Sequence, residues 1–357
     1  MKRLFSLLLC LLLLASCCAC GVRGSALPQT DGETVSFTDS AGRTVAVPSE
    51  ITRIAASGST AQMILMTLCP ELLVGLASSP SMAQRPYFPE SMWYLPTFGQ
   101  FYGSKANLNL ESLIAAQPQL IIDLGDPKAS IKEDMDMIQV QTGIPTVFIE
   151  ATLAQLPSAY RTLGALLGRE DRAEQLACYV ENTLAMAAEA RALIPQDARK
   201  TVMFGTGATG LACNAAGSSQ ADVIELVGAD NAIVADEISN RNGGTTVDLE
   251  QVYVCDPDVI LLEAGGPYAS LPESEWAQLR AVREGSYYEI PNLPYSWMSS
   301  PPSVNRVIGI WWLGNLLYPE YFDCDIVQVA QEFYDLFWQY SLTEEEALSL
   351  LSRSSRR

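Results

Sequence analysis

The chain has 357 residues, enough for two compact domains, because a single core tends to split beyond roughly 250 residues. Its 41 acidic residues against 22 basic ones set a formal charge of −19, which disfavours nucleic acid or an anionic bilayer face as a partner. There is no histidine, so Ser-His-Asp and Cys-His triads, the HExxH zinc motif and imidazole metal ligands are all excluded, and no enzyme is expected.

Met1-Lys2-Arg3 supplies a positive start, and Leu4 to Ala15 is a continuous apolar run. That length fits a secretory signal and is short for a membrane span. Leu14-Ala15-Ser16-Cys17 then resembles the bacterial lipobox, which implies cleavage before Cys17 and a lipid on its thiol, with Cys20 as a weaker alternative cleavage point. The expected organisation is a signal peptide over 1–16 and a lipidated tether over 17–34, with the membrane reached through that anchor only. The cysteines of the body, Cys69, Cys178, Cys213, Cys255 and Cys324, form no CxxC pair and read as small apolar residues.

From Val35 the pattern turns to strands. "VSFTDSAGRTVAVP" predicts a hairpin turning at Ser40-Ala41-Gly42, and "ITRIAAS" predicts a strand running into a small-residue loop at Gly58-Ser59-Thr60. "AQMILMTLCPELLVGL" has helical spacing, "LIIDL" (120–124) reads as a buried strand, and "TGIPTVFIE" (142–150) as another. Leu156 to Ile194 is helical, broken at Gly168, and its longer part over 170–193 would extend about 36 Å. The strand-helix grammar returns with "KTVMFGTG", a helix over 220–227, "VDLEQVYVCDPDVILL" and "SYYEIPN". Two helical segments follow, "VIGIWWLGNLLY", in which Trp311 and Trp312 should pack, and 326–352. The alternation predicts an α/β fold: two lobes with parallel-type sheets joined by a single long rigid helix, and a ligand cleft between them. The expected divisions are an N-terminal lobe over 35–152, a helical spine over 153–195, and a C-terminal lobe with terminal helices over 196–357.

"VDLEQVYVCDPDVILL" echoes "LNLESLIAAQPQLIID", setting Leu249-Glu250 against Leu110-Glu111 and Pro257 against Pro118. With "TDSAGRTVAVP", "RIAASGSTAQ", "WAQLRAVREGSYYEIP" and "SPPSVNRVIGIWWLGNLLYPE", these segments stand in the order of the class III periplasmic-binding-protein family, which the chain resembles from about residue 36 to 340. That family contains the substrate-binding subunits of ABC importers for ferric siderophores, haem and cobalamin. The resemblance implies a monomeric extracytoplasmic protein that hands a small-molecule metal complex to an ABC permease and its ATPase. It also implies that Glu111 and Glu250 dock on permease arginines, a role compatible with a plain helix-dipole contact at each first turn.

Cleft loops of an α/β lobe lie at the carboxyl ends of the strands. That rule nominates Ser57, Ser59, Asp126, Thr206, Tyr268, Tyr295 and Trp297 as ligand-binding residues. The aromatic and cationic stretch over 85–105 adds Arg85, Trp93 and Tyr102, and the resemblance adds Arg306. Aromatic faces with a few cations suit a chelated iron, the first reading, with cobalamin, haem or an oxyanion such as molybdate as alternatives. No cofactor, catalytic residue or protein-bound metal is expected beyond that cargo. A sensor or enzyme on the same fold is the rival class.

Overall fold

The computed structural model describes residues 33–103, 105–299 and 301–356. The signal peptide, Cys17 and nearly all of the tether lie outside the described residues. Strands β1 (Thr34–Thr38) and β2 (Thr44–Pro48) form the expected antiparallel hairpin. Its turn is fixed by a buried pair: Arg43 Nη1 donates to Asp39 Oδ2 at 3.0 Å and to the Thr146 carbonyl at 2.8 Å. A desolvated arginine is tolerable when its donors are all used, and here they anchor the hairpin to the first lobe.

The first sheet is parallel, in the order β3 (Ile54–Ala56), β4 (Leu120–Gly125), β5 (Thr146–Glu150), with Ile54 beside Leu120 and Ile121 beside Thr146. β4 and β5 are almost wholly buried apolar runs, as strands covered on both faces must be. Helix α1 (Ser59–Leu68) follows β3; it stops well short of the helix read from sequence, because Pro70 opens a separate 3-10 turn over 70–72. Helices α2 (Leu110–Ala116) and α3 (Ile131–Thr142) complete this lobe.

The spine is two helices, α4 (Leu156–Leu167) and α5 (Glu170–Leu193), separated where Gly168 takes a left-handed φ of 64°. Ala173, Leu176, Ala177, Val180, Thr183, Ala187 and Ala190 make the buried stripe of α5. Small residues dominate that stripe, which lets neighbouring helices approach closely.

The second sheet runs β11 (Tyr287–Glu289), β10 (Val259–Leu262), β6 (Thr201–Thr206), β7 (Ala212–Cys213), β9 (Thr245–Thr246), with β8 (Asp230–Asn231) also on β6. Its β11, β10, β6 and β8 pairings are parallel, and β7 and β9 add an antiparallel edge. Helices α6 (Asp222–Leu226), α7 (Leu249–Cys255), α8 (Arg280–Arg283), α9 (Arg306–Leu317), α10 (Ile326–Phe333) and α11 (Glu344–Leu350) cover it. Trp312 is buried in α9, as expected; Trp311 is part-buried and its indole donates to Thr183 of α5.

One hydrophobic cluster runs through both lobes and the spine, from Val45 and Ile54 through Val180 to Phe204, Trp297 and Phe337. Two smaller clusters fill the outer faces of the two sheets. The lobes are thus braced by shared packing as well as by the spine.

Candidate functional site

The carboxyl ends of β3 and β4 open into a chamber of about 340 Å³. Gly58, Ser59, Thr60 and Ala61 at the head of α1 line it, with Gln100, Tyr102, and the segment Asp123 to Lys128. Ser219, Gln220, Asn240 and Pro302 close it from the second lobe. No side chain caps the N-terminus of α1 and no acidic residue stands in its first turn, so its first N–H groups and positive dipole end face this space. Lys128 brings an ammonium to the same wall, 4.8 Å from the centre of the Tyr102 ring.

Asp123 is the buried acid of the chamber. Its Oδ1 accepts from the Ser57 hydroxyl, and its Oδ2 accepts from the Tyr102 hydroxyl at 2.6 Å. Burial pushes the carboxyl above the ordinary aspartate value, against the pull of the two hydroxyls and of Lys128. Burial also pushes the Tyr102 phenol far above its ordinary value, helped by the charge of Asp123 and the bond to it.

A second chamber of about 290 Å³ shares Asp126, Ser219 and Asn240 with the first and is completed by Thr152, Leu153, Asp222, Glu225 and Arg306 among others. Arg306 is almost fully buried; its guanidinium donates to Asp222 Oδ2 at 2.5 Å and to the Ser219 carbonyl at 3.0 Å. Burial pushes the Asp222 carboxyl up to about 6, opposed by Arg306 and reinforced by Asp126 across the cleft. Asn240 is held against the wall by its side-chain oxygen, which accepts from the Ser219 N–H at 2.9 Å.

Of the residues nominated from sequence, Ser59, Tyr102 and Asp126 line the first chamber, and Asp126 and Arg306 the second. Ser57 lies behind the wall, on Asp123. The other nominated side chains are placed elsewhere. Trp297 is fully buried in the core, its indole donating to the Tyr334 hydroxyl at 3.2 Å. Thr206 is buried and bonds the Ala212 carbonyl within the sheet. Tyr268 packs on Tyr287 with centroids 5.3 Å apart and lies under Arg353.

The first part of the aromatic stretch, residues 85–93, packs within the protein, while Tyr102 at its far end lines the chamber. Trp93 donates to the carbonyls of Arg85 and Phe88, and the Arg85 guanidinium stands 5.8 Å from its ring, so the pair stiffens the loop. Tyr87 packs on Tyr334 and Tyr340, and Phe88 on Trp338 and Tyr295, with centroid distances of 4.8 to 6.0 Å. These rings join the first lobe to the C-terminal helices, since aromatic edges and faces there satisfy one another.

Asp123, Lys128, Gln100, Ser219, Gln220 and Asn240 are cleft residues that the sequence reading passed over. The charge inside the otherwise apolar run Leu120-Ile121-Ile122-Asp123-Leu124 was a readable signal for the first of these.

Glu111 and Glu250 are both exposed, each in the first turn of its helix, α2 and α7. Neither carboxylate is in an ion pair among the described residues.

Two α/β lobes braced by one long helix, with a polar cleft lined from both, define a solute-binding protein. The chain belongs to the periplasmic binding protein family, whose profile, described as "Periplasmic binding protein", matches residues 66–293. Among solved structures it is similar to an ABC transporter solute binding protein from Sulfurospirillum deleyianum, with 26% identity and a TM-score of 0.81 over 89% of this chain and 99% of that one. It is also similar to a periplasmic solute binding protein from Veillonella parvula, with 22% identity and a TM-score of 0.74 over 90% and 98% of the two chains. A molybdate periplasmic binding protein from Haemophilus influenzae, bound to molybdate, shares the fold at 19% identity and a TM-score of 0.68 over 87% and 99%. No curated protein matches by sequence. The protein is therefore an extracytoplasmic solute-binding component of an ABC transporter, working with a permease and an ATPase, and is not an enzyme.

Proposed function

We propose that this protein captures a compact anionic metal species, with an oxyanion of the molybdate type as the best fit, and delivers it to its permease. The observation that carries this reading is the uncapped N-terminus of α1 facing a small polar chamber with Lys128 beside it. Orphan N–H donors at a helix start together with an ammonium suit a small oxyanion. Apart from Tyr102, the chamber offers no aromatic face on which a porphyrin or corrin could lie.

A chelated iron is the second reading. It is favoured by the second chamber, which continues the first through Asp126, Ser219 and Asn240 and gives room for a small organic chelator. Titration calorimetry with molybdate, a ferric trihydroxamate, haemin and cobalamin separates these readings. Molybdate is expected to bind at micromolar Kd or tighter, and binding of haemin or cobalamin alone would overturn the proposal.

The proposal includes attachment through a lipid on Cys17 and docking through Glu111 and Glu250. The lipobox-like run before Cys17 supports the first. The matched exposure of the two glutamates on equivalent helices supports the second. Metabolic labelling with a fatty acid tests the anchor: incorporation is expected in the native chain and lost in Cys17→Ser.

A further inference from the structure

We propose that Asp123 keeps the oxygen side chains of the cleft out of a cargo metal's coordination sphere, so that the cargo is a metal species already saturated by its own ligands. This deepens the cargo reading above and rests on it for the identity of the cleft as the cargo site. The argument begins from what an oxygen ligand needs. A tyrosine binds a metal only as phenolate, with its proton removed.

That condition is not met at the floor of the chamber. The Tyr102 proton points at Asp123 Oδ2 over 2.6 Å, and the Ser57 proton points at Oδ1, so one carboxylate engages both hydroxyls, one on each of its oxygens. Removing the Tyr102 proton would set a phenolate against Asp123, with Asp134 of α3 adding to the repulsion. A naked cation arriving at the same wall would instead meet the Lys128 ammonium.

The rest of the cleft offers no substitute. None of the cysteines of the described residues lines either chamber. Asp222 Oδ2 accepts from Arg306 while its Oδ1 is buried without a partner, and Glu225 Oε1 accepts from the Gly217 N–H, so Asp126, Asp222 and Glu225 share no common centre for a metal ion. Among the described residues no three or more cysteine, aspartate or glutamate side chains stand together so as to hold a metal ion. Recognition is then through hydrogen bonds and charge to the outer surface of the cargo. Asp123 acts as a positioning residue that makes Tyr102 a protonated, outward-acceptor group.

The test uses ferric nitrilotriacetate, a complex with open coordination positions, on the mature protein and on Asp123→Asn, Tyr102→Phe and the double variant. The native protein is expected to show no phenolate-to-iron charge-transfer band in the visible, Asp123→Asn to gain one, and the double variant to lose it again. A band in the native protein that Tyr102→Phe abolishes overturns the proposal, and so does an Asp123→Asn protein without one.

Should Asp123→Asn not fold, Asp123→Ser takes its place in the iron measurement with the same expected and overturning results, and ring carbon NMR of the native protein tests the protonated state of Tyr102. The Tyr102 signal, assigned with Tyr102→Phe, should keep its protonated position beyond about pH 10, where an ordinary phenol is half ionised. Titration at that ordinary value refutes the lock. If molybdate and the ferric trihydroxamate both fail to bind, the import of such cargo falls, while the iron results still decide the role of Asp123.

Discussion

Lys128 is the only cationic side chain lining the first chamber among the described residues, and its ammonium stands over an aromatic face with the head of α1 nearby. Hydrogen bonds to a charged group contribute about 1.5–3 kcal/mol, so Lys128→Ala should weaken molybdate binding by roughly 10- to 100-fold. Calorimetry at fixed ionic strength checks this, and unchanged affinity would remove Lys128 from the site.

Asp222 gives a second residue-scale test. Its folded carboxyl titrates near 6 against an ordinary value of 3.8. A raised value means the group contributes stability that is full below about pH 4 and is lost as pH rises through about 6. Asp222→Asn should therefore flatten the fall in Tm between those limits, and an unchanged slope from pH-dependent melting would show that Arg306 neutralises the native carboxylate.

At this scale the sequence was only partly legible. A lone acid in an apolar strand marks Asp123, whereas the approach of Asp126 to Asp222 depends on how two lobes face each other, which no local pattern encodes.

Two helix-strand units, one per lobe, are built alike down to single hydrogen bonds. Asn109 caps α2 by accepting from the Ser112 N–H, and Asp248 caps α7 by accepting from the Gln251 N–H. Both helices end on a left-handed residue, Gln117 at φ 48° and Asp256 at φ 37°, just before Pro118 and Pro257. The next side chain in each then accepts from the N–H at the head of the neighbouring strand segment: Gln119 from Thr52 at 2.8 Å, Asp258 from Thr201 at 2.8 Å. The internal repeat was visible in sequence because the cap, the proline and the apolar strand are all local signals.

Such equivalent scaffolds place Glu111 and Glu250 in matching positions. Replacing both by alanine should abolish transport in vesicles containing the permease while leaving cargo affinity unchanged; lost affinity would sink the docking role.

A helix-packing constraint lies in α9, where a Cβ on Gly309 would stand 1.9 Å from the Trp297 carbonyl oxygen. Alanine improves helix propensity by about 1 kcal/mol, but backbone overlap of this kind costs about 1–3 kcal/mol or more. The clash should win, and a lowered urea midpoint for Gly309→Ala checks it.

Over the whole molecule, the alternation of strands and helices, the break at Gly168 and the long spine helix could all be read from spacing. The destination of the aromatic residues could not. Tyr295 was read as a cargo contact, but it lies with Tyr87 and Phe88 in a seam whose partners Tyr334, Trp338 and Tyr340 lie some 40 to 250 positions away in sequence, and only the folded chain brings them together. Tyr87→Ala should cost about 3 kcal/mol by leaving a void in this seam, comparable to other large aromatic deletions. Chemical denaturation measures that loss, and calorimetry should find cargo affinity within a few-fold of native.

The shared core across the lobes bears on how the permease learns that cargo is aboard. Lobes stitched by one continuous apolar interior, with Gln84 also donating across to the Pro294 carbonyl at 2.7 Å, have little freedom to lose when the cleft fills. Loading then buries only the cargo and the cleft walls, so its heat-capacity change should be small. A loaded and an empty carrier would present nearly the same silhouette to the membrane, and the transporter would have to distinguish them by the rim of the cleft itself.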